Sequence, residues 1–205
     1  MGSRSADDDR AGRWMRSKPP RSARVAWAWL QGTPLRRRRL RQILRMLDGC
    51  APRGATLLDV GGGSGVGSEE AVRVAPSGTY ARVIVIDPQR GMLERGQRRP
   101  RGTLRRDWLR GTGALLPLAD RSADVLVSFG VLCCMEDSAV ARAVTEFWRV
   151  LRPGGYWLLG VPRGWAPTSD VEFRTAGFVV VRQQRPGRVL YRRPAAPPGE
   201  LTPRA

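Results

Sequence analysis

The segment Leu57-Leu58-Asp59-Val60-Gly61-Gly62-Gly63-Ser64-Gly65 constrains this 205-residue chain more than any other. Leu57, Leu58 and Val60 suit a strand covered on both faces. Glycines at 61, 63 and 65 follow at once, as in a strand that ends at a ligand: glycine adopts positive φ without steric cost and lets the backbone approach closely. Val66 to Ala75 is the helix expected after the turn, with Pro76 stopping it. Its first N–H groups and partial positive charge would suit an anion such as a carboxylate. Two common phosphate-binding signatures fail here. No glycine has partners at both i+2 and i+5, as a dinucleotide fingerprint needs, and Gly62 and Gly67 are followed by Ser68 and Glu69 where a P-loop needs Lys. A plain strand–turn–helix with a glycine-rich bend is the alternative to a ligand turn.

A second β-branched run, Arg82-Val83-Ile84-Val85-Ile86-Asp87, also ends in an acid. Asp87 lies near the spacing at which a second-strand carboxylate reaches a ribose diol, and a carboxylate accepts two hydroxyl hydrogen bonds at once. An ordinary strand-end acid is the competing reading. Met92 starts a helix and suits either an adenine contact or core filling. Leu104 to Trp108 could end a third strand, with Asp107 accepting from an adenine amino group and Trp108 covering the ring; a surface acid and a core Trp are the competing readings. Val140, Val144, Phe147 and Leu151 recur at helical spacing, Pro153 stops that helix, and Gly154-Gly155 take the turn into a strand at Tyr156 to Val161.

Four segments resemble, in order, the motifs of class I S-adenosylmethionine (SAM) dependent methyltransferases. These are the acid-x-Gly-x-Gly-x-Gly turn (Gly62 falling at a variable position), Asp87-Pro88-Gln89-Arg90-Gly91-Met92-Leu93, Leu116-Pro117-Leu118-Ala119-Asp120-Arg121-Ser122-Ala123-Asp124 running on to Val131-Leu132, and Glu146-Phe147-Trp148-Arg149-Val150-Leu151-Arg152-Pro153-Gly154-Gly155. The likeness spans roughly Thr56 to Gly177 and is nearest to ubiquinone and menaquinone C-methyltransferases and small-molecule methyltransferases. It implies an α/β, Rossmann-like, doubly wound sheet of seven mostly parallel strands with an antiparallel last strand and helices on both faces. It implies SAM as cofactor, held by Asp59, Gly61, Gly63, Gly65, Asp87, Met92, Asp107, Trp108, Ser128 and Phe129. The chain departs from that group in one respect: Cys133-Cys134 stands where two His often follow strand four. The chain has no His at all, so a protein base, if the acceptor needs one, would be an acid, Tyr or Cys. No catalytic base and no metal site is assigned.

The division expected is a polar tail over 1–24, a helical cover over 25–53, the cofactor domain over 54–193 and a Pro-rich tail over 194–205. Within the cover, Val25-Ala26-Trp27-Ala28-Trp29-Leu30 is an apolar patch. Leu35 to Leu47 is a helix with Leu40, Ile43, Leu44 and Leu47 on one face. Arg36 to Arg39, Arg41 and Arg45 crowd its other faces, as a solvated surface or as a site for phosphates. Ser169 to Ala176 suggests a short helix, and Phe178 to Arg182 with Arg188 to Tyr191 a closing hairpin.

Net charge is +18, of which residues 1–55 contribute +10 from 14 basic and 4 acidic side chains. That surplus favours anionic partners, so a nucleic acid or other polyanion stands as the less favoured acceptor beside a small molecule. No apolar run reaches 18 residues, so no membrane span is expected. Three cysteines without disulfide or zinc spacing fit a reducing cytoplasm.

Overall fold

The computed structural model describes residues 34–99, 104–161, 173, 176–185 and 187–195. Seven strands make one sheet: β1 (Ala55–Val60), β2 (Tyr80–Asp87), β3 (Arg105–Arg110), β4 (Ala123–Phe129), β5 (Leu151–Gly160), β6 (Val179–Arg185) and β7 (Arg188–Arg192). Their spatial order is β3-β2-β1-β4-β5-β7-β6. The first five strands are parallel, and β7 runs antiparallel to both β5 and β6. The expected doubly wound sheet and closing hairpin are therefore present.

Alternate residues of each central strand bury into opposite layers. Leu57, Val83, Val85, Val125 and Val127 pack under α1 (Pro34–Leu44), α2 (Val66–Val74) and α3 (Arg90–Gln97). Leu58, Val60, Ile84, Ile86 and Leu126 pack against α4 (Asp137–Val150). Both faces being covered explains why these strands read as near-continuous apolar runs. Beneath α4 an aromatic cluster centres on Trp157, whose ring lies 5.0–5.2 Å from those of Phe147, Phe173, Phe178 and Tyr191. Such pairs add about 0.5–1.5 kcal/mol each beyond area burial.

The cover helix forms where its apolar spacing puts it. Leu40, Ile43 and Leu44 of α1, then Met46 and Leu47 of a short 3-10 turn (Arg45–Leu47), are buried against the sheet layer. Its arginines divide into two kinds. Arg37 and Arg41 face α2, where their guanidinium groups meet the buried Glu70 at 2.5 and 3.0 Å. Arg38, Arg39 and Arg45 are exposed. The arginine-rich face is thus neither wholly solvated nor wholly free for a ligand.

Two expected boundaries are corrected. The third strand does not end at Asp107 and Trp108; it begins at Arg105 and runs to Arg110, paired along its length with β2. The fifth strand starts at Leu151, directly after α4, and Gly154 and Gly155 sit inside it at a register shift against β4. Gly154 there takes φ 84°. The irregularity keeps a strand going through Pro153, as bulges do. The short helix expected over 169–176 and the segment 25–30 lie outside the described residues. Among the described helices, none is long and apolar enough to cross a membrane.

Candidate cofactor site at the carboxyl edge

The chain winds from β1 outward to β2 and β3, then returns to place β4 on the other side of β1. The loops leaving β1 and β4 therefore part at the carboxyl edge and open a crevice, the usual ligand position in such sheets. The glycine turn leaves β1 there. Gly61, Gly63 and Gly65 have φ of 63°, 56° and 73°, a region costly for residues with a Cβ. Beyond that shared backbone demand, each glycine meets a different neighbour.

A Cβ on Gly63 would approach the Met92 methyl at 3.0 Å and Asp87 Oδ2 at 3.9 Å, so this residue sits closely between a flexible thioether and a carboxylate. Asp87 ends β2, nearly buried. Its Oδ2 accepts the Gly63 N–H at 2.9 Å and its Oδ1 accepts the Gln89 N–H at 2.8 Å. Each oxygen of an ionised carboxylate has capacity for a further donor. Burial pushes the Asp87 carboxyl up from its ordinary range against those two N–H donors. Gly63, Asp87 and Met92, three of the expected residues, are thus brought together.

Gly61 is backed by Val131, whose Cγ2 lies 2.4 Å from where a Cβ would stand. Gly65 is backed by Trp108, whose ring tip sits 2.7 Å from its Cβ position and 2.3 Å from that of Gly96 in α3. The Trp108 indole reaches the turn, but it does so wedged into the gap that two glycines leave, where it braces the exit of the turn. Phe129, the last residue of β4, packs against Gly160 and Gly67 and closes the β4 side of the crevice. Gly62, at a variable position of the motif, is nevertheless closely packed in this chain: a Cβ there would meet Asp59 Cγ at 2.6 Å and Val85 Cγ1 at 2.8 Å.

Asp59 lies under the turn. Its Oδ2 accepts the Ser68 N–H at 2.9 Å, which caps the first turn of α2 from within. Burial pushes its carboxyl up to about 7, opposed by the hydrogen bonds from Ser68 and reinforced by the charge of Asp87. The carboxylate that the α2 N-terminus attracts is therefore supplied by the chain itself.

Two expected contacts are corrected. Asp107 lies three residues before the end of β3, about 10 Å down the strand. Its Oδ2 is 2.5 Å from Arg82 Nε and 3.5 Å from Arg105 Nε, so an adenine contact does not fall to it. Ser128 is fully buried on the α4 side, where its hydroxyl accepts the Trp157 indole N–H at 2.9 Å. Asp107 was placed at a strand end by sequence and Ser128 at the cofactor by the resemblance alone, and register and pleat turn them elsewhere. Val131 and Gly62 were missed. The signal for Val131 was its place just past β4, the strand beside β1.

A cavity of about 210 Å³ lies elsewhere in the domain. It lies at the amino edge of the sheet, between Leu44, Leu47, Arg53, Val74 and Tyr80. Neither the glycine turn nor Asp87 lines it.

Residues 57–155 match the model of a methyltransferase domain. The chain is 39% identical over 115 residues to a ubiquinone/menaquinone biosynthesis C-methyltransferase of Dinoroseobacter shibae, covering 54% of this chain and 44% of that protein. It is 33% identical over 145 residues to a demethylmenaquinone methyltransferase of Clavibacter sepedonicus, covering 70% and 50%. The chain thus spans about half the length of the curated relatives it matches. Among solved structures, a SAM-dependent methyltransferase from Aquifex aeolicus superposes with a TM-score of 0.58 at 20% identity, covering 89% of this chain and 98% of that one. A TehB-like SAM-dependent methyltransferase from Corynebacterium glutamicum gives 0.57 at 19%, covering 73% and 85%. With this strand order and this glycine turn, the sheet and its helices have the fold of class I SAM-dependent methyltransferases, and residues 57–155 are similar to a methyltransferase domain.

Proposed function

We propose that this chain binds SAM in the crevice between Gly63, Asp87 and Met92 and transfers its methyl group to a small-molecule acceptor. The observation that carries the reading is the Gly63 position, whose missing side chain lets the Asp87 carboxylate and the Met92 methyl both come up against the glycine turn. Asp87 would hold the ribose hydroxyls with the lone pairs not taken by Gly63 and Gln89. Met92 would cover the adenine edge, and Trp108 and Val131 would hold the turn from behind. SAM, when bound, supplies a methyl group on a sulfonium, ready for displacement by a nucleophile. The chain's part is then mainly to align the acceptor, a contribution of up to about 7–11 kcal/mol in favourable cases. A carbon acceptor, as in the quinone biosynthesis enzymes it resembles, fits a site where no His is available.

The acceptor side is proposed to be formed by the segment before the sheet. Arg37 pairs with the early α2 residues Glu69 and Glu70, while Leu44 and Leu47 share a cavity with Val74 and Ala75 near the α2 end. Helix α1 therefore begins on the carboxyl-edge side. Removing residues 1–30 is expected to spare SAM affinity and abolish methyl transfer.

Calorimetric titration of the purified chain with SAM and its demethylated product tests the central reading. Gly63→Val is expected to abolish binding. Asp87→Ala is expected to weaken it at least ten-fold, the loss of about 1.5–3 kcal/mol in charge-assisted hydrogen bonds. Wild-type protein that releases no heat with either compound at millimolar concentration refutes the reading.

A polyanionic acceptor has one observation in its favour. Helices α1, α2 and α3, all on one face of the sheet, carry eight basic and three acidic side chains, whereas α4 on the other face carries two of each. Changing the exposed Arg38 and Arg39 to Gln tests this, because it leaves the Glu70 pairs intact. Turnover that falls, with a shallower salt dependence, would favour the polyanion.

A further inference from the structure

The crevice has a second chemical feature beside the glycine turn. After β4 the chain passes through Gly130, at φ 71°, and Val131 into a short 3-10 turn, Leu132–Cys134. Leu132 is fully buried and anchors the turn. Cys133 is half-buried, Cys134 is exposed, and their sulfurs are 4.0 Å apart. The Cys134 thiol also lies 2.8 Å from the Gly130 carbonyl oxygen, and the Cys134 N–H donates to the Val131 carbonyl at 2.9 Å. Val131 in turn packs directly on Gly61. Two thiols thus stand side by side on the loop that backs the first glycine of the turn.

We propose that Cys133 and Cys134 are an oxidation site, which a hydroperoxide closes to a vicinal disulfide, and that closure weakens SAM binding at the adjacent turn. The second half rests on the SAM reading above; the first does not. The Cys133 sulfur, as thiolate, attacks the terminal oxygen of the hydroperoxide. The O–O bond breaks, the departing oxygen takes a proton and leaves as alcohol, and Cys133 becomes a sulfenic acid. The Cys134 sulfur then attacks Cys133 sulfur: the S–S bond forms, the S–O bond breaks, and hydroxide leaves with the Cys134 proton as water. Two thiols and one hydroperoxide give one disulfide, one alcohol and one water.

The roles follow from the pair's own electrostatics. Contact with the Cys134 thiol holds the Cys133 thiol below its ordinary range, and the same contact together with burial raises Cys134. The thiolate, the reactive form, thus falls on Cys133. Cys50, the third cysteine, lies beside Met46 and Asp48 near the amino-edge cavity and has no thiol neighbour among the described residues.

Coupling to the turn is a matter of geometry. Adjacent α-carbons across a trans peptide are about 3.8 Å apart. Disulfides usually span about 4.4–6.8 Å between α-carbons. A vicinal bridge is therefore strained, which makes it readily reduced and so reversible. The sulfurs must also close from 4.0 Å to bonding distance, and Cys134 must give up its proton and with it the contact to Gly130. A turn held by those contacts cannot keep its shape, and Val131 is part of it.

The full chain is treated with tert-butyl hydroperoxide, remaining thiols are alkylated, and the tryptic peptide 122–142, which contains both cysteines, is weighed. Expected is a loss of about 2 Da with no alkylation, restored by dithiothreitol. A dimedone adduct on Cys133 is expected in Cys134→Ser. Oxidised wild-type protein should bind SAM at least about five-fold more weakly than reduced protein, whereas Cys134→Ser should show no disulfide and no such change, and Cys50→Ser should behave as wild type. Both cysteines remaining alkylatable, or links forming only between chains or to Cys50, overturns the oxidation site. A vicinal disulfide that leaves SAM affinity unchanged overturns the coupling. Reduced protein that fails to bind SAM refutes the cofactor reading and the coupling with it, while the peptide mass still decides whether the site oxidises.

Discussion

Asp59 gives the sharpest test of how the turn is built, because it is an acid buried without a cation. Its side chain is 2% exposed, and the Ser68 N–H is the main-chain donor it holds. Burial lifts its carboxyl from 3.8 to about 7. Below about pH 4 the group is protonated in the folded and unfolded chain alike, so it costs nothing. Between about pH 4 and 7 the unfolded chain ionises it while the folded chain keeps the proton, so stability falls as pH rises. Above about pH 7 the loss is complete. At about 1.4 kcal/mol per pKa unit, the full loss is about 4 kcal/mol. Asp59→Asn removes the titration and keeps an oxygen for the Ser68 N–H. Its new amide hydrogens add a cost that does not vary with pH. Urea unfolding of both proteins at several pH values from 4 to 9 isolates the effect, since other acids titrate in both. The stability of wild type relative to Asp59→Asn should fall by about 4 kcal/mol across that range. A difference independent of pH would show that Asp59 is not held as an unpaired buried acid and would refute this account of the turn.

Gly62→Ala has no room, with Asp59 Cγ 2.6 Å and Val85 Cγ1 2.8 Å from the new methyl, so it should destabilise by about 1–3 kcal/mol; an unchanged melting temperature would refute the packing described. Arg37→Met should cost about 1–3 kcal/mol in chemical unfolding because it strips the 2.5 Å partner from buried Glu70, discounted from the full buried-pair value since Arg37 is itself 21% exposed. Arg38→Met, on the exposed side of the same helix, should stay within about 0.5 kcal/mol; equal effects at the two positions would mean that the Arg37 pair contributes no more than a surface charge.

Much of the architecture was legible from local pattern. Apolar runs at 57–60 and 82–87 became β1 and β2, and the spacing of Leu40, Ile43 and Leu44 became the buried face of α1. The helix after the glycine turn ends at Val74, close to the Pro76 stop. Boundaries slipped where a local breaker was overridden by pairing. Gly154 and Gly155 read as a turn, yet β4 on one side and β7 on the other hold that stretch in the sheet. Trp108 read as a strand end, yet β2 pairs with β3 two residues further on.

The site divided in the same way. The sequence by itself determined where a ligand turn could be, because alternate positive-φ positions at 61, 63 and 65 need glycine and a strand–turn–helix puts them at a sheet edge. It also determined that Asp87 would end the next strand. Asp59, Asp107 and Ser128 carry the same local signal of a polar residue on an apolar strand, and only the tertiary structure separated them. Pleat parity sends Asp59 under α2, register puts Asp107 beside Arg82, and sheet order brings Trp157 to Ser128. The arginine-rich helix was likewise undecided until Glu69 and Glu70 arrived from α2 to take Arg37 and Arg41. Periodicity and glycine act within a few residues, whereas the partner of a polar side chain is chosen by strands and helices distant in sequence.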